Sequence, residues 1–519
     1  MDQGNVFDVL GDQEMDMSDL CEWERTPEPC ALVIFGASGD LAYRKLLPAL
    51  YNLRNYGGLP ERYFVVGVGR TQMNDDAFRA KMRQGVTEAG HDLGRWQGFE
   101  ECLYYQQVFY DNTESYRVLS SRLADLDERH QTMGNRIFNL AVPPSIYSTV
   151  ARGLAQAGLS KEDKKQGGWT RLVVEKPFGH DLSTARELNK AIKEGFREAQ
   201  VFRIDHYMAK ETVQNILIFR FANAIFEPLW NRNFVDHVRI NASESLGIEN
   251  RAGYYEQAGV LRDMFQNHMM ELLALVAAEA PSTFSADRVR DKKAELFRSL
   301  RPFKLENLDE NLVLGQYTSG EVDGNGVAGY REEPDVDPNS LTPTYALMRV
   351  FVDNWRWQGV PFYLTSGKRL KRKVTRIDIQ FKAVPHSIFR QALGEGISAN
   401  RLIVNVYPKE SIFLNFQSKK PGTRLCLRTS GLHFSFYKGE ETPKMDAYAK
   451  ALIDTMSGDQ SLFWRQDGLE LCWAFLDPVL NCAETCDDRS QRLHAYPAGS
   501  LGPKAALDML PPGSWPEKP

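Results

Sequence analysis

An excess of basic residues is missing. Lys and Arg number 63 against 68 Asp and Glu, a formal net charge of −5, whereas a nucleic-acid partner calls for a broadly basic surface. No nucleic acid is expected. Also missing is any run of the roughly 18 apolar residues that a membrane span requires. The N-terminus is acidic and polar where a signal peptide would be basic and then apolar. No membrane association is expected, and a cytoplasmic location is the default. The cysteines (Cys21, Cys30, Cys102, Cys426, Cys472, Cys482 and Cys486) are odd in number and scattered. Only Cys482 and Cys486 lie close together, with no second pair at zinc-finger spacing. Neither a metal site nor a disulfide scaffold is expected, and no internal repeat is visible.

What is there is a chain of 519 residues, 43% hydrophobic and 25% charged. That length exceeds one ordinary core and predicts two globular domains, with room for a third. Residues 1–28 carry nine acidic side chains and one base, Arg25, and read as a flexible acidic leader. The character changes at Cys30. Residues 31–35 form a short apolar run suited to a buried parallel strand, leading into Gly36-Ala-Ser-Gly39-Asp-Leu-Ala42 and leucines at helical spacing. Strand, glycine turn and helix let backbone N–H groups at a helix N-terminus meet a pyrophosphate.

The next predicted strand, from Tyr63, ends in Arg70 rather than in the acidic residue that would accept from a ribose 2′-hydroxyl, with Arg44 and Lys45 on the first helix as further cations. A guanidinium there favours a 2′-phosphate, so NADP is the expected cofactor. A third strand, 137–142, halts at Pro143-Pro144, with Tyr147 following. A fourth, from Thr170, runs into Glu175-Lys-Pro-Phe-Gly179, placing Lys176 at a strand's carboxyl end, where ligands collect in open α/β sheets. A helix from Ser183 to about Glu198 then leads to Arg203-Ile-Asp-His-Tyr-Met-Ala-Lys-Glu211. This stretch crowds together a cation, an imidazole and carboxylates, the types that phosphate recognition and proton transfer need. By composition alone it could equally be a polar loop.

The second half has longer alternating runs at 235–242, 345–352, 376–381, 401–406 and 411–416. Period-two alternation with one polar face predicts a large, mainly antiparallel sheet. A helix over 259–279 interrupts it. On that helix His268 shares a face with Leu261, Met264, Leu272 and Leu275, the usual place of a satisfied core histidine. Asp263 would lie roughly 140° round from it at about 100° per residue. The basic run Gly367-Lys-Arg-Leu-Lys-Arg-Lys373 is either an anion contact or a solvated turn. Helices are predicted at 446–456 and 467–479, and the Pro- and Gly-rich end reads as a loose tail.

These motifs, in this order, resemble the glucose-6-phosphate dehydrogenase family over roughly residues 30–480, together with Arg262-Asp-Met-Phe-Gln-Asn-His268 and Gly367-Lys368. The resemblance implies a fold of α/β plus α+β type. A Rossmann coenzyme domain (29–205) would be followed by an α+β substrate and dimerisation domain (206–497) built on a large mainly antiparallel sheet, with a flexible tail at 498–519. It implies oxidation of glucose 6-phosphate at C1 with reduction of NADP, and a homodimer or dimer of dimers. His268 would be the general base and Asp205 its orienting carboxylate. His206, Tyr207 and Lys210 match phosphate-binding positions; Lys176, Glu244, Asp263 and Lys368 match sugar or phosphate contacts, and Lys373 lies near a further family cation. Gly36, Ser38, Gly39, Asp40, Leu41, Arg70, Tyr147 and Lys176 would face the coenzyme.

Three departures stand out. Ala209 replaces a usual glycine, and Tyr407 replaces a polar amide common near the sugar. The basic positions of a second NADP site known in one branch appear as Val374, Asp378 and Asn405, so that site is not expected. The rival readings are another NADP-dependent sugar oxidoreductase, of the glucose-fructose oxidoreductase type, and a catalytically silent NADP-binding regulator.

Overall fold

The computed structural model describes residues 26–162, 168–389, 397–423, 425–435 and 446–512. Residues 1–25 of the predicted leader and 513–519 of the predicted tail lie outside the described residues. The first sheet has six parallel strands: β1 (Cys30–Phe35), β2 (Tyr63–Gly69), β3 (Leu103–Gln107), β4 (Arg136–Leu140), β5 (Thr170–Val174) and β6 (Val201–Arg203). Their order is β3-β2-β1-β4-β5-β6, the Rossmann arrangement. Both faces are covered, which is why β1 and β2 are buried along their whole length rather than alternating. The topological switch falls between β1 and β4. There Gly36, at φ +82°, makes the turn, and a side chain on it would run into the Ala141 carbonyl.

The second sheet has nine strands among the described residues: β7 (Val235–Ser243), β8 (Leu312–Thr318), β11 (Tyr345–Phe351), β12 (Pro361–Gly367), β13 (Val374–Phe381), β14 (Arg401–Tyr407), β15 (Ser411–Lys419), β16 (Leu427–Ser435) and β17 (Leu493–Pro497). A small hairpin, β9 (Gly320–Val322) and β10 (Asn325–Val327), stands apart. Pairing is mainly antiparallel, but β7 with β12 and β8 with β17 are parallel. The parallel pair at the centre carries two chain exits, after Ser243 and after Gly367, to the same edge of the sheet.

Three features differ from the sequence expectation. Charged side chains are buried at the centre of the second sheet: Arg239 and Asp378 are each 2% exposed, and Asp378 pairs with Arg376 and Arg401 at 2.9 Å. Charges can enter this layer because they arrive paired. The Pro- and Gly-rich end is not loose as far as residue 512. β17 extends the sheet, and the helix Lys504–Met509 seats Ala506 against a tyrosine-rich cluster that includes Tyr317, Tyr345 and Tyr496. Its glycines serve close approach, since a side chain on Gly499 would strike the Glu321 carbonyl. Finally, the helix Ala447–Ser457 crosses back to the first sheet. Ala449, Leu452 and Met456 join the core beneath β1 and β5, and Arg171 donates to the carbonyls of Thr455 and Met456 at 2.6 Å. Apolar positions in that helix carry no label saying which sheet they cover. No helix among the described residues is long and apolar enough to cross a membrane.

Candidate active site

The predicted helix over 259–279 is not one regular helix. Gly259, at φ +55°, breaks it, after which Leu261–Met269 is π-helical and Met270–Ala277 is α-helical. This revises the expected geometry. With hydrogen bonds running i→i+5, the turn widens beyond the 3.6 residues of an α-helix, and residues five apart come closer to one face. Asp263 and His268 therefore share a face rather than lying far apart around the axis, and one ammonium reaches both. Lys176 Nζ is 2.9 Å from His268 Nε2 and 3.8 Å from an Asp263 carboxylate oxygen.

Each partner arrives from the carboxyl end of a strand. Lys176 follows β5, and Asp205, His206 and Tyr207 follow β6. Glu244 follows β7, and Lys368 follows β12, with Glu244 N–H donating to the Gly367 carbonyl at 2.9 Å. The parallel strands of one sheet thus deliver their ends opposite the parallel pair of the other, and the π-helical segment lies between.

His268 is 1% exposed, and its Nδ1 lies 2.5 Å from Asp205 Oδ1. The Tyr207 ring stacks on the imidazole at 4.1 Å and His206 meets it edge-on at 4.6 Å. Burial pulls His268 below its ordinary value; Asp205 opposes this, Lys176 adds to it, and the net direction is down. For Asp205 burial works upward, but the attraction and hydrogen bond of His268 outweigh it and hold the carboxyl well below the usual range. A neutral imidazole whose Nδ1–H donates to a carboxylate keeps its Nε2 lone pair as a proton acceptor. That lone pair faces Lys176.

Beside this pair, Lys368 Nζ sits 2.5 Å from Glu244 and 3.3 Å from Asp263. Burial would raise Asp263, but Lys176 and Lys368 bring it down to about 2. Lys368 is only 2% exposed, and the C-terminal segment braces it: Tyr496 hydroxyl donates to its carbonyl, Gly499 N–H to that of Arg369, and Lys371 N–H to that of Ser500. Toward solvent, Lys210 Nζ stands 4.3 Å from the centre of the Tyr207 ring. Lys373 reaches the same region from the start of β13, over Tyr407.

Asp205, His206 and His268 offer ligand atoms within 4.8 Å of one another, a possible metal cluster. The arrangement disfavours a cation, since the Lys176 ammonium lies against His268 Nε2 at 2.9 Å.

At the coenzyme end, Gly36, Ser38, Gly39, Asp40 and Leu41 form the turn after β1. Arg70 is exposed just beyond β2, with no carboxylate at that strand's end, so the donor set accommodates a 2′-phosphate. Asp40 pairs with Arg44 at 2.6 Å. Tyr147 is 1% exposed and its hydroxyl donates to the Glu175 carbonyl at 2.9 Å, so the side chain braces the Glu175-Lys176 corner. Arg203, part of the charged cluster, is turned inward to Glu198 and Asn189. Sequence reasoning missed Tyr254, whose hydroxyl lies 3.5 Å from Asp263, and Thr375, whose side chain bonds the Tyr207 hydroxyl. Neither carries a sequence signal; only folding brings them near.

A parallel sheet in Rossmann order with a glycine turn, and at its carboxyl edge a carboxylate-held histidine facing a crevice of cations, define a Rossmann-fold oxidoreductase. The family model described as "Glucose-6-phosphate dehydrogenase, NAD binding domain" matches residues 33–215, and "Glucose-6-phosphate dehydrogenase, C-terminal domain" matches 217–515. The chain belongs to the glucose-6-phosphate dehydrogenase family. It is 46% identical over 484 residues to glucose-6-phosphate 1-dehydrogenase of Aggregatibacter actinomycetemcomitans, covering 93% of this chain and 96% of that protein. A solved glucose-6-phosphate dehydrogenase in complex with its substrate glucose-6-phosphate superposes with a TM-score of 0.86 at 30% identity, over 95% of this chain and 99% of the other. The enzyme from Mycobacterium avium superposes at 0.78 with 32% identity, over 93% and 97%.

Proposed function

We propose that this chain oxidises glucose 6-phosphate at C1 to 6-phosphoglucono-1,5-lactone with NADP+ as oxidant, the first step of the pentose phosphate pathway. The observation that carries the reading is the 2.5 Å hydrogen bond between Asp205 and a buried, neutral His268 whose other nitrogen meets Lys176. The coenzyme, when bound, accepts the hydride from C1. His268 Nε2 takes the proton of the C1 hydroxyl, and the imidazolium that forms is stabilised by Asp205 through Nδ1–H, the base-orienter logic of histidine catalysts. Lys176 occupies the position the hydroxyl would use, so it turns its ammonium to the sugar as the hydroxyl enters. Lys368, Asp263 and Glu244 hold the sugar hydroxyls, while His206, Tyr207, Lys210 and Lys373 receive the phosphate. Gly36 to Leu41 receive the pyrophosphate and Arg70 the 2′-phosphate.

The test is absorbance of the reduced coenzyme with glucose 6-phosphate, against unphosphorylated glucose and against NAD in parallel. The expected result is fast turnover with glucose 6-phosphate and NADP. Equal rates with glucose would remove the phosphate site, and a preference for NAD would place Arg70 elsewhere.

The working unit is a homodimer, or a dimer of dimers, that covers the outer strands of the second sheet. The edge strand β16 leaves Leu432 61% and Phe434 53% exposed, a surface that pairing would bury. Sedimentation of the wild type and of Leu432→Glu checks this, and an unchanged mass for the variant overturns it. The described cysteines are all unpaired, which accords with a reducing, cytoplasmic compartment; cell fractionation tests that location.

A further inference from the structure

Tyr407 ends β14 beside the phosphate-facing side of the crevice. Lys373 Nζ stands 4.9 Å from the centre of its ring and Lys210 Nζ 5.8 Å, while Lys210 is also 4.3 Å from the Tyr207 ring. Ring and ammonium thus alternate in the series Tyr207, Lys210, Tyr407, Lys373. All three distances fall within the range of cation–π attraction, about 6 Å.

The backbone holds this series together from both sides. Tyr407 pairs with Thr375 of β13, and the Thr375 side chain bonds the Tyr207 hydroxyl. Three residues on, Glu410 accepts from the backbone N–H of Thr212 at 3.1 Å and from its hydroxyl at 3.0 Å. Thr212 lies in the first turn of the helix Glu211–Phe221, whose N-cap is Lys210. The turn carrying Tyr407 and the segment carrying Lys210 are therefore fastened to each other.

We propose that Tyr407 is a positioning residue that selects for the phosphorylated sugar: its ring, not its hydroxyl, holds the ammonium groups of Lys210 and Lys373 together to receive the substrate's dianion. Two ammonium groups aimed at one point repel each other, and each long side chain resists being ordered. The negative face of an aromatic ring offsets both costs before the anion arrives, and an amide has no such face. This rests on the phosphate reading of the site given above.

The experiment compares Tyr407→Phe, Tyr407→Gln and Tyr407→Leu with wild type, measuring KM and kcat for glucose 6-phosphate, kcat/KM for glucose, inhibition by inorganic phosphate, and Tm. Losing two cation–π contacts is expected to raise KM for glucose 6-phosphate and Ki for phosphate about tenfold in the Leu and Gln variants. Tyr407→Phe stays within about twofold, and kcat/KM for glucose moves less than about twofold in all three. A Phe variant as weak as Leu would assign the work to the hydroxyl and overturn the proposal. So would a Gln variant equal to wild type, an unaffected Leu variant, or a parallel loss with glucose or in Tm. Lys210→Ala, run alongside, separates the two levels. If it leaves KM for glucose 6-phosphate unchanged, the phosphate reading itself fails; if it raises KM while Tyr407→Leu does not, only the role of Tyr407 fails.

Discussion

At one end of the crevice His268 and Asp205 are 1% and 4% exposed, joined by a 2.5 Å hydrogen bond and walled by Tyr207 and His206. At the other end Lys210 and Lys373 reach toward solvent, arranged over tyrosine rings at 4.3 to 5.8 Å. The difference follows from what each end has to do. A proton acceptor must be uncharged at neutral pH, and burial secures that for His268 at the cost of needing Asp205 to steady the charge it gains. A dianion is drawn by intact positive charges, which are cheap to keep near water and expensive to bury. Between the two, Asp263 and Lys368 are buried but paired, so the sugar region is rigid without being apolar.

Removing the base tests the buried end with the largest effect. His268→Asn is expected to lower kcat about 10²-fold or more while binding of glucose 6-phosphate stays nearly intact, read by steady-state kinetics and by calorimetric titration with the sugar phosphate. Near-normal turnover would take His268 out of the mechanism and erase the contrast. Asp205→Asn comes next, with kcat down about 10²-fold, the lower end of what general-base assistance contributes. Its pH profile sharpens the point. His268 sits below its ordinary 6.5, so kcat/KM of the wild type holds as pH falls past 6.5 and drops only as the imidazole protonates. Since Asp205 raises the His268 value, its loss moves that acid limb to still lower pH.

Lys210→Ala should show the opposite signature at the solvent end. KM for glucose 6-phosphate rises roughly tenfold or more, the effect shrinks at high salt, and kcat changes little. A kcat loss as large as that of His268→Asn would mean the two ends are one unit. The smallest effect concerns stability. Burial pushes Glu175 up to about 7 despite Lys176. Its folded value lies above the unfolded one, so the stability it contributes is complete below about pH 4.5 and is lost as pH rises through about 7. Glu175→Gln is expected to raise Tm at pH 8 by on the order of 2 °C and to change it little at pH 4.5, by scanning calorimetry at the two pH values.

Much of the first domain was legible because local patterns sufficed there. The apolar runs of β1, β2 and β5 and the turn from Gly36 to Gly39 are contiguous in sequence, and the Rossmann order follows from them. The site was legible as motifs but not as geometry. A regular helix puts Asp263 and His268 on different faces, and nothing in residues 259–279 announces the π-helical segment that unites them with Lys176. The compositional signals of looseness misled at the C-terminal end, because proline and glycine between residues 497 and 512 serve close packing against Tyr345 and the Lys368 loop. The hydrogen bond from the Tyr147 hydroxyl to the Glu175 carbonyl was not legible either, because it joins residues 28 positions apart.

The sequence by itself determined which chemical groups are present, the strand-and-turn units that carry them, and the family to which they belong, because each is written in neighbouring residues. Only the tertiary structure decided which groups meet. Whether an imidazole is a core filler or a base depends on the carboxylate and ammonium beside it, and in this chain those come from positions 63 and 92 residues away. Distance in space, burial and the charge they impose arise only when two sheets turn their strand ends toward one another.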